Sequence, residues 1–125
     1  MKNVVDSSGW LEYFINSENA KAFSTPIRDS DNLIVPTICV YEVFKRLLLH
    51  INENEALTTI GNMFFGTIVE LDRFIALNAA QLSIKHKLAM ADSIILATTR
   101  ANDAILWTQD EHFKDLDGVK YIEKK

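Results

Sequence analysis

Cysteine is nearly absent from this chain. Cys39 is the only one in 125 residues, so neither an intramolecular disulfide nor a cysteine-based zinc site is available. Its neighbours Ile38 and Val40 mark it as a small buried filler. Proline is almost as scarce, and Pro26 and Pro36 both fall near expected element ends. Long apolar runs are missing too. No stretch approaches the ~20 residues that cross a bilayer, and Asp6 stands where a signal peptide would place its apolar segment. These absences lead us to expect a cytosolic protein that does not associate with membranes. Excess positive charge is also lacking. A net charge of −4 argues against holding nucleic acid by a broad basic surface. It leaves room for a nuclease in which bound cations supply positive charge locally. Internal repeats, low-complexity segments and long linkers are absent as well.

What is present is a chain of one-domain length, residues 1–125, with 48% hydrophobic residues, enough for one real core. Val4-Val5 reads as a short buried strand ending at Asp6, after which Ser7 or Ser8 caps a helix carrying Leu11, Phe14 and Ile15. A second helix covers Asn19 to about Arg28. Leu33-Ile34-Val35 is the next strand, stopped by Pro36. Thr37 is the expected N-cap of a longer helix with Val40, Phe44, Leu47, Leu48 and Ile51 at helical spacing. Asn52 followed by Glu55 forms a capping box for a helix with Leu57, Ile60 and Phe64 inward. Gly66 ends it, Thr67 to Leu71 is a strand, and Asp72 caps a helix burying Ile75, Ala79 and Leu82. Ala91 to Ala101 is helical, with Ala91, Ile94, Ile95 and Thr98 on one face. Ile105-Leu106-Trp107 and Val119 to Ile122 are the last strands.

Apolar strands alternating with helices imply an α/β domain with a mostly parallel sheet. Such sheets place ligands beyond the carboxyl ends of their strands. Asp6 and Asp110 lie just after strands. Asp92 lies near a helix start, where negative charge is favoured. Glu42 lies in the first turns of the helix after the second strand. All four can therefore reach one edge of the sheet. Two like charges ~4 Å apart repel by about 4 kcal/mol at an effective dielectric of 20. A hard divalent cation removes that cost and opens a route to phosphodiester hydrolysis. The blander alternatives are a turn acid, a helix-dipole acid, and a Glu42–Arg46 pair at i,i+4. A dehalogenase-type phosphatase would need an acid where Ser8 stands, and no phosphate-binding Gly-x-x-x-x-Gly-Lys loop occurs. His50, His86 and His112 have no metal-ligand spacing with one another and are read as surface or structural residues. Ile60, Phe64 and Phe65 form a candidate apolar patch for a partner helix.

Four segments carry a resemblance. Val4-Val5-Asp6-Ser7-Ser8-Gly9-Trp10-Leu11-Glu12-Tyr13 resembles the opening of PIN-domain ribonucleases, especially VapC-type toxins. Tyr41 to Arg46, Leu88 to Thr98 and Leu106 to Phe113 are similar to their second, third and fourth motifs, in the same order along nearly the whole chain. The resemblance implies a three-layer α/β/α sandwich with a central, mostly parallel sheet. It also implies RNA cleavage dependent on Mg²⁺ or Mn²⁺, with Asp6, Glu42, Asp92 and Asp110 as catalytic and metal-binding acids. Asp6 and Asp92 are then the central ligands, with Asp110 and Glu42 completing the site partly through water. Ser8 matches a hydroxyl that holds the first acid, and Thr108 one beside the fourth. Lys45, Arg46, Lys87 and Arg100 flank the motifs and are candidate contacts for RNA phosphates. The implied partners are the RNA, a small antitoxin that inserts a basic side chain at the acidic site, and a second copy of the chain. The rival expectation is a catalytically silent PIN-fold module that binds protein. One departure from the pattern is that no Ser or Thr immediately precedes the Ala91-Asp92 helix start.

Overall fold

The computed structural model describes residues 1–125. Its centre is a sheet of five parallel strands in the order β3-β2-β1-β4-β5. The strands are β1 (Lys2–Val5), β2 (Leu33–Pro36), β3 (Thr67–Val69), β4 (Ala104–Thr108) and β5 (Val119–Tyr121). Six helices connect them: α1 (Ser7–Ile15), α2 (Ala20–Arg28), α3 (Thr37–Leu48), α4 (Glu53–Ile60), α5 (Arg73–His86) and α6 (Met90–Ala101). The chain runs outward from β1 to β3, then returns past β1 to β4 and β5. Right-handed crossovers in these two directions cover opposite faces of the sheet, which gives the α/β/α sandwich. No helix is long and apolar enough to cross a membrane.

The central strands are apolar because both their faces are covered. Val4 and Val5 of β1 and Leu33 and Val35 of β2 are at most 1% exposed. Val4 aligns with Ile34 on one side and Leu106 on the other. Trp10, Phe23, Val43, Ile60, Met63 and Ile95 complete the main core from the helices. A smaller cluster of Ile75, Ala79, Ile94 and Ala97 joins α5 to α6.

Several local expectations are corrected. Asp6 caps α1 in place of Ser7 or Ser8, since its extended backbone lets Oδ1 accept the Gly9 N–H at 2.9 Å. Thr37 lies inside α3, and its hydroxyl donates to the Val69 carbonyl at 3.0 Å; Pro36 holds the cap position without a side-chain bond. Asn52 does cap α4, accepting the Glu55 N–H. However, Leu57 and Phe64 face outward, while Ala56, Ile60 and Met63 are buried. Ala56 and Ile60 share one face of the regular helix, one turn apart, which leaves Leu57 outside it; beyond Ile60 the chain tightens into a 3₁₀ turn over Gly61–Phe65, where Met63 rather than Phe64 turns inward. Leu48 is likewise exposed. β3 stops at Val69 because its partner Pro36 is the last residue of β2.

Gly9 decides how closely α1 approaches the sheet. A Cβ there would lie 2.7 Å from Val5 Cγ1 and from the Phe23 ring. Gly9→Ala is therefore expected to cost about 1–3 kcal/mol by overpacking, read as a lower urea midpoint at unchanged m-value.

Candidate active site

The strand order reverses between β1 and β4, and in such sheets the crevice beyond the strand ends at that point is where ligands sit. Asp6 leaves β1 there, with its N–H still donating to the Trp107 carbonyl at 3.1 Å. Its carboxylate is 3% exposed and engaged on both oxygens. Oδ1 accepts from the Gly9 N–H and from Ser8 Oγ, each at 2.9 Å. Oδ2 accepts from Thr108 Oγ1 at 2.6 Å, and Ser8 Oγ also lies 3.1 Å from it. Thr108 in turn accepts the Asp110 N–H at 2.9 Å, so one hydroxyl joins the first acid to the backbone of the fourth.

The other two acids arrive on helices that begin at this same edge, because crossover helices run antiparallel to the strands. Asp92 is in the first turn of α6, whose cap residue, Ala89, makes no side-chain bond. Glu42 is one turn further along α3, and Ser7 Oγ donates to its Oε1 at 2.6 Å. Asp6, Glu42, Asp92 and Asp110 line a single cleft of about 440 Å³, together with Ser7, Ser8, Tyr41, Lys45 and Arg46.

The PIN domain family model matches residues 4–119. The chain belongs to the PIN domain family. No individual curated protein matches at a significant level. Among solved structures, a toxin–antitoxin complex from Klebsiella pneumoniae is similar at a TM-score of 0.81 and 21% identity, covering 98% of this chain and 100% of that one. A DNA-bound VapBC from Salmonella typhimurium is similar at 0.76 and 11%, covering 98% of each chain. VapC20 from Mycobacterium tuberculosis, described as a sarcin–ricin loop cleaving toxin, is similar at 0.76 and 12%, covering 99% of each. At these identities the likeness is one of fold.

Electrostatics set this PIN domain's cleft apart from the rest of its surface. Burial pushes the Asp6 pKa from the ordinary 3.8 up to about 6, against the lowering effect of Thr108, Gly9 and Ser8. Asp92 is also raised to about 6, first by burial and then by the charges of Asp110 and Glu42. No lysine or arginine forms an ion pair with these acids. Their one contact with a basic side chain is that of Asp110 Oδ1 with His112 Nδ1, 3.0 Å apart.

Of the candidate cations, Lys45 and Arg46 line the cleft. Lys87 is the left-handed C-cap of α5, and Arg100 lines a separate hollow between α5 and α6 beside Lys85. In the cleft and at its rim stand groups that the motifs alone do not single out. Ser7 anchors Glu42, Tyr41 contributes a ring, and His112 stands against Asp110. His112 has no metal-ligand spacing to the other histidines; its informative neighbour is the acid two residues before it.

The raised pKa values fix the sign of a pH dependence. The folded protein holds these protons more tightly than the unfolded chain, so the associated stability is full below about pH 4 and is lost as pH rises through 6. For Asp6 the loss is on the order of 3 kcal/mol. Metal-free protein is therefore expected to melt at a lower temperature at pH 7.5 than this contribution would allow at pH 4.5. Asp92→Asn should raise the Tm near pH 7.5 by a few degrees and leave it nearly unchanged near pH 4, as differential scanning fluorimetry would show.

Proposed function

We propose that this PIN domain is a divalent-metal-dependent endoribonuclease and the toxin of a VapBC-type toxin–antitoxin pair. The observation that carries this reading is the convergence of Asp6, Glu42, Asp92 and Asp110 on one cleft without a lysine or arginine paired to any of them. Four converging carboxylates, two of them with pKa values raised first by burial and then by neighbouring acids, form a donor set suited to a hard cation with oxygen ligands. Asp92 and Asp110 would hold Mg²⁺ or Mn²⁺ from the open side of the cleft, and Asp6 from the buried side. Ser8 contacts both Asp6 oxygens but has one proton to give, so one of those contacts can yield to a ligand. When bound, the ion polarises a phosphoryl oxygen and lowers the pKa of a water.

The chain's own residues do the rest. Ser7 fixes Glu42 by Oε1 and leaves Oε2 free to orient the attacking water and accept its proton. Thr108 and Ser8 hold Asp6 in place. Lys45 and Arg46, on α3, meet RNA phosphates beside the scissile bond.

The partners follow the similar structures, several of which are toxin–antitoxin complexes. A small antitoxin would close the acidic cleft with a basic side chain. The exposed strip of Phe74, Leu77 and Ile84 along α5 is a surface for homodimerisation.

Purified protein is expected to cut RNA with Mg²⁺ or Mn²⁺ and to stop in EDTA, followed by gel and by sequencing of the new ends. Asp92→Asn and Asp6→Asn should abolish cleavage, and Glu42→Gln should slow it by about a hundredfold or more. Cleavage by Asp92→Asn at the wild-type rate would overturn the assignment. A folded, metal-binding wild type that cuts no RNA would favour the silent protein-binding module.

A further inference from the structure

One imidazole stands at the rim of the acidic cleft, against Asp110. His112 follows Asp110 in a 3₁₀ turn, Glu111–Phe113, that begins as β4 ends. The turn is fixed from both sides: the His112 N–H donates to Asp110 Oδ1 at 2.9 Å, and Phe113 beneath it is fully buried. This folds the imidazole back toward the acids. Nδ1 lies 3.0 Å from Asp110 Oδ1, and single donor atoms of Asp92, Asp110 and His112 all lie within 4.8 Å of one another. With metal–ligand bonds of ~2.1 Å, adjacent ligands of an octahedral ion are about 3.0 Å apart. The pair is therefore already at the spacing of two ligands of one ion. The ring is 74% exposed, so a small rotation onto an ion meets little steric resistance.

We propose that His112 is a nitrogen ligand of the ion held by Asp92 and Asp110, and that it turns the site's preference away from Mg²⁺ toward Mn²⁺ and later transition metals. The inference rests on reading the cleft as a metal site. Its chemical basis is the difference between donors. Carboxylate and water oxygens suit Mg²⁺ and Mn²⁺ alike, whereas imidazole is accepted by transition metals and avoided by Mg²⁺. An all-carboxylate cleft would distinguish the two ions weakly. One imidazole in the coordination shell makes the distinction.

A merely structural His112, pairing with Asp110 and holding the turn, would affect both ions equally when removed. That difference supplies the test, made on resting protein without RNA. Mn²⁺ and Mg²⁺ are titrated into wild type, His112→Ala and His112→Asn by calorimetry. The Mn²⁺-loaded proteins are then examined by electron spin-echo modulation for a directly coordinated ¹⁴N. His50 lines a separate apolar hollow, and His86 is the last residue of α5, so a nitrogen signal reports on His112. Wild type should show the ¹⁴N modulation, and both variants should lose it. Mn²⁺ affinity should fall about tenfold or more in His112→Ala while Mg²⁺ affinity holds. His112→Asn, with an oxygen donor, should bind both ions nearly equally. Wild type without ¹⁴N modulation, or an equal loss for both ions, would overturn the inference and leave the nuclease reading intact. A clear ¹⁴N signal in a protein that cuts no RNA would do the reverse. Failure of wild type to bind either ion would remove both.

Discussion

The hydrogen bond from Thr108 to Asp6 joins the two strands at which the sheet reverses direction. It seats a carboxylate in a place water hardly reaches, and through the Asp110 N–H it fixes where the chain leaves β4. Ser8 and the Gly9 N–H hold the same carboxylate from α1, so the start of that helix, the end of β1 and the end of β4 share one anchor. Gly9 is part of this arrangement twice. Its N–H donates to the Asp6 carboxylate that caps the helix, and its missing side chain lets α1 settle against Val5 and Phe23. The acids at the mouth of the cleft, Asp92 and Asp110, are placed relative to this buried one.

Such a site works against the stability of its own fold. Desolvation at Asp6, and desolvation plus neighbouring charge at Asp92, raise both pKa values to about 6 and so make the charged acids costly near neutral pH. A structure selected for stability alone would put amides or apolar groups there. Keeping carboxylates instead means that the folded state is more comfortable when a cation is bound, and binding is thereby linked to folding. Cys39 lies under the same cleft and tells the opposite story. Burial pushes its thiol pKa up, its Sγ rests 3.8 Å from the Val5 carbonyl, and it remains a neutral space-filler.

Much of this was legible in the chain because position in a parallel α/β sheet is a one-dimensional property. An acid directly after an apolar strand, or in the first turns of a returning helix, has to lie at one edge. Asp6, Asp110, Asp92 and Glu42 were found that way, and the order of the four motifs added the family. What sequence could not carry was rotation about an element's own axis. The inward face of α4 runs through Ala56 and Ile60, an i,i+4 pair, rather than through Leu57 and Ile60. Lys87 and Arg100 sit near the motifs along the chain yet do not line the cleft, and Arg100 lines a separate hollow at the far end of α6. The orientation of His112 depends on a three-residue turn held by buried Phe113, a tertiary fact with no periodic signature.

The sheet's two outer strands, β3 and β5, have only three residues each. A flank that short offers a newcomer few unpaired amides and carbonyls to zip onto, and a barely formed ladder cannot repay the entropy of docking another backbone. Addition of a sixth strand from a neighbouring molecule is thus discouraged at both margins. Stacking of copies into ribbons is guarded against by the same brevity. Association between copies is thereby directed to side chains, where recognition can be selective, rather than to backbone pairing.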